Sequence, residues 1–148
     1  MSDIKDWKTK HIVLLVMICI AVNYLGKLFA NALSLPFWLD SIGTIFVAYV
    51  LGPVCGVMVG FTCNLAYGIN DPNSILYGLT SAAIAISVGA LAKKIRLRNF
   101  FSTMSLSVYV TFISVVISAP LNILLYGGYT GNIWGDGVID FLRRSLCR

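Results

Sequence analysis

The chain has 148 residues, 58% of them apolar and only 11% charged, with a mean hydropathy of +0.86. Soluble domains carry about 25% charged residues, and between Lys10 and Lys93 the only charges here are Lys27, Asp40 and Asp71. These figures exclude a water-soluble domain, a disordered chain and a nucleic-acid binder acting through a basic surface. They predict an all-α integral membrane protein: a single transmembrane domain over residues 1–148, built as a compact bundle of about five transmembrane helices, with six expected in the complete protein.

The net charge of +5 fits that expectation. Every basic residue except Lys27 falls into one of three clusters: Lys5/Lys8/Lys10, Lys93/Lys94/Arg96/Arg98 and Arg143/Arg144/Arg148. Basic clusters beside apolar spans are topology signals that hold loops on the cytoplasmic side. The cysteines form no framework. Cys19, Cys55 and Cys63 lie inside apolar runs, and Cys55 and Cys63 are roughly 12 Å apart along one helix, too far to bridge.

The first predicted span covers about 11–33, longer than the roughly 20 residues a crossing needs. A signal peptide is the competing reading of Ile12–Val22 with Ala30-Asn31-Ala32. Its cleavage site, however, lies far from the apolar stretch, and the chain runs on directly into another apolar segment. The second span is about 37–51. Gly52-Pro53 marks a tight turn, with Pro suited to the first turn of a third span over 53–69. Asn70-Asp71-Pro72-Asn73 is a strong turn signal. The fourth span, 74–92, ends at the basic cluster of 93–98. The fifth covers 101–126, with Pro120 expected to kink it and free a carbonyl that must be satisfied inside the bundle. Residues 127–148 read as an outer loop rich in glycine, a short helix-like piece over Val138–Arg144 and an incomplete C-terminal segment.

A cytoplasmic N-terminus places the Gly52-Pro53 turn and the 93–98 cluster inside and the Asn70–Asn73 turn outside, as the positive-inside rule requires. It also leaves Arg143 and Arg144 outside, against the rule. A last span returning to the cytoplasm, missing from this chain, would remove the conflict.

A membrane helix hides its small and polar residues, because lipid already satisfies the apolar ones. Gly52, Gly56, Gly60, Asn64 and Gly68 recur every four residues as one ridge, suited to close helix packing within the molecule. Gly78, Ala82, Ala85 and Gly89 make a second small-residue stripe. Ser107, Thr111, Ser114, Ser118 and Asn122 share a face of the fifth span. Most of these hydroxyls can bond back to carbonyls one turn earlier, whereas the Asn122 amide has four hydrogen-bonding sites to satisfy.

On the first span Asn23, Lys27 and Asn31 recur at i, i+4 and i+8. Lys27 can snorkel outward, bind a ligand, or pair with Asp40 on the same side; intramembrane ionisable residues are functional-site candidates by default. Phe37, Trp38, Tyr126, Tyr129 and Trp134 lie at the same level, as an interfacial belt or as a mouth that stacks on a flat ligand. The candidate substrate-binding set is Lys27, Asn31, Trp38, Asp40, Asn64, Asn122, Trp134 and Asp136. No catalytic constellation, metal-ligand spacing, P-loop or other cofactor motif is present, so neither an enzymatic reaction nor a cofactor is expected.

The run Leu35-Pro36-Phe37-Trp38-Leu39-Asp40-Ser41-Ile42-Gly43-Thr44, followed by Gly52-Pro53-Val54-Cys55-Gly56, Gly60 and Asn64, resembles the substrate-binding S components of energy-coupling-factor (ECF) transporters. Gly127–Asp136 fits the same kind of sequence, so the resemblance spans roughly Asn23 to Arg144. It implies a six-helix membrane protein of the bacterial plasma membrane that captures a vitamin or related micronutrient on the outer face. It also implies docking on a membrane coupling subunit driven by two cytoplasmic ATPases, and toppling to carry the ligand inward. The family's first helix often carries an Ala-xxx-Ala docking motif, whose nearest match here is Gly26-Lys27-Leu28-Phe29-Ala30. Membrane sensor domains of histidine kinases share the same style of motif, and a sensor domain of a signalling receptor is the alternative.

Overall fold

Apolar runs interrupted by a few turn-forming residues leave the backbone no option but to bond to itself locally, and in the computed structural model every regular element is helical among the described residues, 9–35, 39–92, 99–129 and 133–146. In chain order these are α1 (Thr9–Ala32), a 3₁₀ turn (Leu39–Ser41), α2 (Ile42–Val50), α3 (Pro53–Tyr67), a second 3₁₀ turn (Pro72–Ile75), α4 (Tyr77–Ala92), α5 (Phe100–Tyr126) and α6 (Ile133–Leu146).

Three segments are long and apolar enough to cross a membrane: Thr9–Ala32, Pro72–Ala92 and Phe100–Tyr126. These fit a membrane helical bundle, and the segments expected at about 37–51 and 53–69 hold shorter apolar helices. Helices α2 and α3 have 9 and 15 residues, about 14 and 22 Å of rise, short of the roughly 30 Å of a hydrocarbon core. Their turns are the cause. Gly52 takes φ +101°, a conformation open to glycine and strained for other residues, and Pro53 follows as the first residue of α3. At the far ends, α2 is preceded by the turn at Asp40, and α3 stops at Tyr67, ahead of Asn70–Asn73.

One further local expectation, the start of the C-terminal helix, changes. Pro120 lies inside α5 on an exposed face and does not end the helix, which closes at Gly127 in the left-handed conformation. The Gly127 amide donates to the Ile123 carbonyl at 3.1 Å. The C-terminal helix begins at Ile133, not Val138, and runs for 14 residues. Gly135 and Gly137 read as loop signals, but the spacing of Trp134, Val138, Phe141 and Leu142 carries the helix through them.

Helix α2 is central. Val47 belongs to a core cluster with Cys19 and Val59, against α1 and α3, while its neighbour Ala48 belongs to a cluster with Ile84, Ala85, Val88, Leu106 and Val110, against α4 and α5. Small residues allow the close approach. A Cβ on Gly43 would lie 2.4 Å from the Cys19 carbonyl oxygen, one on Gly56 would lie 2.5 Å from the Ala48 Cβ, and one on Gly89 would lie 2.6 Å from the Pro53 ring. The glycine ridge of α3 is thus covered by α2 and α4. The same holds for the small residues of α1: Gly26 packs on Leu39, and Ala30 is buried. Gly26 and Ala30 are thus covered by the chain itself.

Helices α1 and α5 turn most of their apolar surface outward. In α5 only Leu106 and Val110 are buried, while Phe101, Val108, Phe112 and Leu124 are exposed, as are Leu14, Met17, Ile18, Leu25 and Phe29 of α1.

Candidate functional site

The up-and-down chain path brings the end of α1, the start of α2, the end of α3, the start of α4 and the end of α5 to one end of the molecule. Their polar residues meet there. Lys27 Nζ lies 4.0 Å from Asp40 Oδ2, donates to Ser74 Oγ at 3.3 Å and to Asn64 Oδ1 at 3.5 Å, and sits 4.2 Å from the centre of the Tyr67 ring. Asn31 Nδ2 donates to Tyr67 Oη at 2.7 Å, and Tyr24 meets the same ring edge-on. Ser74 Oγ in turn donates to Asp71 Oδ2 at 2.9 Å, which also accepts from Tyr126 Oη at 3.3 Å. Tyr77 Oη donates to Asn122 Oδ1.

Below this cluster lies a second layer. Asn23, fully buried, donates to Thr44 Oγ1 at 2.9 Å and accepts the Gly43 amide at 2.7 Å, tying α1 to α2. Asn64 Nδ2 donates to the Gly60 carbonyl and to Ser81 Oγ, both at 2.9 Å, tying α3 to α4. A polar group taken out of water without a partner is costly, so these paired groups fix the register of the four helices more sharply than apolar contact alone.

Of the candidate residues, Lys27, Asn31, Asp40 and Asn64 come together here. Asn122 joins from α5 through Tyr77. Trp38 lies outside the described residues, as does Phe37. Trp134 and Asp136 lie on α6, which among the described residues shares no large interface with the other helices, and Trp134 is largely exposed. Tyr129 also turns toward α6: it donates to Asp140 Oδ1 at 3.1 Å and accepts from Arg143 at 3.3 Å. Among the described residues, no group of His, Cys, Asp or Glu side chains could hold a metal ion.

A cavity of about 280 Å³ opens beside the cluster, between the first 3₁₀ turn, α2, α4 and α5. Asp40, Tyr77, Thr80 and Ser81 line one wall, and Thr111, Ser114 and Ser118 line the α5 wall. Ser107, on the same predicted face of α5, is exposed and does not line it. Ser114 Oγ bonds back to the Val110 carbonyl at 2.9 Å. Two buried polar atoms of lining side chains, Asp40 Oδ1 and Thr80 Oγ1, have no hydrogen-bond partner.

The selection from sequence missed Asn23, Tyr67, Ser74, Tyr77, Thr80 and Ser81. Asn23 carried a signal, its i, i+4, i+8 spacing with Lys27 and Asn31. Thr80 and Ser81 carried none, since hydroxyls among alanines and glycines read as ordinary helix packing. Comparison of the chain with family models, with curated proteins and with solved structures gives no match.

Proposed function

We propose that this chain is the substrate-binding membrane subunit, the S component, of an ECF-type importer of the bacterial plasma membrane. It spans the membrane several times with a cytoplasmic N-terminus. It captures a vitamin or related micronutrient on the outer face and delivers it together with a separate coupling subunit and two cytoplasmic ATPases.

The observation that carries this reading is the cavity. It is a small, mostly apolar pocket lined by a few hydroxyls of α4 and α5, next to a charge-compensated Lys27–Asp40 pair, at one end of a helical chain whose outer faces are apolar. Convergent polar groups in an apolar hollow suit orientation and capture of a small solute. The outward apolar surfaces of α1 and α5 exceed what a water-exposed monomer tolerates and suit acyl chains. Helix α6 suits the boundary of the bilayer, with Trp134, Val138, Phe141, Leu142 and Leu146 on one face and Asp136, Asp140, Arg143 and Arg144 on the other. With no nucleotide-binding motif in the chain, uptake against a gradient requires ATPases from other subunits.

Within this reading each element has a task. The Lys27–Asp40 pair and the Asn23 and Asn64 bonds hold α1 to α4 as a fixed wall. Helix α5 packs chiefly on α4 and is the wall that can shift to admit the solute.

The test is purification of the chain from membranes, beside an unrelated membrane protein of similar hydropathy, with mass spectrometry of small molecules carried through. Enrichment of one micronutrient is the expected result. ATP-dependent uptake of that compound on co-expression with a coupling subunit and ATPases would separate import from sensing. Failure to enrich any compound, together with no affinity for any vitamin tried, overturns the proposal.

A further inference from the structure

We propose that the last turns of α5, residues 121–126, form a gate over the end of the cavity that faces the polar cluster. The gate is hinged at Pro120 and latched by two tyrosine bonds, Tyr77 to Asn122 and Tyr126 to Asp71. The inference rests on the solute-binding reading above and adds to it the route by which the cavity opens.

Three observations lead there. The first is where α5 is anchored. Its buried residues, Leu106 and Val110, belong to its first half, and no residue from Thr111 to Tyr126 is buried. Among the described residues, the side-chain bonds that tie this second half to other elements are those of Asn122 and Tyr126.

The second observation is register. Ser114, Ser118, Asn122 and Tyr126 follow one another at four-residue spacing and so share one face of the helix. Ser114 and Ser118 line the cavity. Asn122 accepts from Tyr77 Oη, itself a lining residue, and Tyr126 Oη donates to Asp71 Oδ2 at 3.3 Å and also bonds Asn73. The latches thus continue the cavity wall and cross its end where α2 and α4 begin. The side they close onto is fixed. Asp71 caps the second 3₁₀ turn, accepting from the Asn73 amide at 3.2 Å and from Ser74 Oγ at 2.9 Å. Tyr126 is 39% exposed, so water can take over its bond. A hydrogen bond exchangeable for water is a weak tie, which suits a contact that breaks and re-forms.

The third observation is the joints. Pro120 stands between the wall and the latches, on the opposite, exposed side of the helix. It has no amide to give the Val116 carbonyl, and helices bend at such points. Directly after Tyr126, Gly127 and Gly128 take φ +64° and +93° with open space around them. The segment therefore has a soft joint at each end.

The test uses the full chain in lipid nanodiscs, with one thiol at a time and no ligand added. Ser118→Cys, in a chain whose four native cysteines are replaced by alanine, reports on the cavity. A chain that keeps only Cys63, which is buried in α3, reports on the bundle as a whole. A membrane-impermeant methanethiosulfonate with a quaternary ammonium group reaches either thiol only from water. Tyr77→Phe together with Tyr126→Phe deletes both latch hydroxyls. The pair should speed modification at Ser118→Cys by about tenfold or more, the effect of two net hydrogen bonds, with either change alone giving less. Pro120→Ala supplies the missing amide and should bring the rate most of the way back. The rate at Cys63 should stay the same in every variant.

An unchanged rate at Ser118→Cys after both tyrosine changes overturns the gate. So does an equal rise at Cys63, which would mean that the whole bundle loosens. A rate that Pro120→Ala leaves as it was in the unlatched chain overturns it as well. Because no ligand is used, the two readings fail separately. Latch-dependent modification with no compound carried through purification keeps the gate and removes the solute; a recovered compound with latch-independent modification removes the gate and keeps the solute.

Discussion

Replacing Lys27 with methionine keeps an unbranched stem and deletes the ammonium, so it isolates the charge at the centre of the polar cluster. The Lys27 and Asp40 side chains are 14% and 8% exposed, which makes theirs a buried pair and not a solvated surface pair. At 4.0 Å the attraction is about 4 kcal/mol for an effective dielectric near 20. Removing one member of a buried pair costs about 3–5 kcal/mol, because the other charge stays behind. The double variant Lys27→Met with Asp40→Asn leaves no charge behind. Ser74 keeps its bond to Asp71, and Asn64 keeps its bonds to Gly60 and Ser81. The double variant should therefore recover most of the loss and end within about 1 kcal/mol of the parent. Unfolding free energies from SDS titration in mixed micelles, followed by circular dichroism, provide the measurement. A single variant that loses less than about 1 kcal/mol would place the pair in the class of exposed ion pairs. A double variant as unstable as the single one would show that the ammonium acts through packing, and either result refutes the reasoning.

Asn23→Ala should lower stability by about 3 kcal/mol in the same titration, since it orphans the Gly43 amide and deletes the bond to Thr44; no loss would mean that water or a neighbour takes over. Gly43→Ala should cost about 1–3 kcal/mol, because its Cβ would meet the Cys19 carbonyl at 2.4 Å. Gly137→Ala, with open space around it, should gain about 0.5–1 kcal/mol of helix stability; a reversed order of the two variants would refute the packing of α1 on α2. In a Trp7→Phe/Trp38→Phe background, Trp134 is the last of the three tryptophans. Its fluorescence should be quenched most by lipids brominated near the headgroup, and quenching only by aqueous iodide would take the α6 face off the bilayer.

The helical class and the turns were legible because so few residues interrupt the apolar runs. Gly52-Pro53 and Asn70–Asn73 have no other economical use in such a chain, and the structure turns at both. The lengths of α2 and α3 were less legible. Apolar content is the same on both sides of Gly52, so hydropathy alone sees two ordinary spans. The start of α6 was hidden for the opposite reason: glycine at 135 and 137 argues for loop locally, while the amphipathic spacing of the following residues favours helix over the whole segment. At the polar cluster, Lys27 and Asp40 stood out as rare charges, and their pairing was one of three options open to Lys27. Which partner each takes depends on the 3₁₀ turn that aims Asp40 back at α1 and on Ser74 arriving from the far side of α3. Both are products of tertiary packing, without a trace in residue spacing.

The two polar layers also differ in what they leave undone. Around Asn23 and Asn64 the amide groups form direct bonds to backbone or side chain, and substitution there is expected to act on stability. Around the cavity the balance is less complete: Asp40 pairs with Lys27 and is also held by Ser41, while Thr80 Oγ1 is buried without a hydrogen-bond partner among the described residues. Folding alone gives no reason to keep an unpaired hydroxyl at a buried position where valine would fit, because the valine form loses a penalty and keeps the shape. Thr80→Val should therefore hold or raise stability in the SDS titration where Asn23→Ala lowers it, and a loss at both positions would make the Thr80 hydroxyl a partner in holding the bundle together.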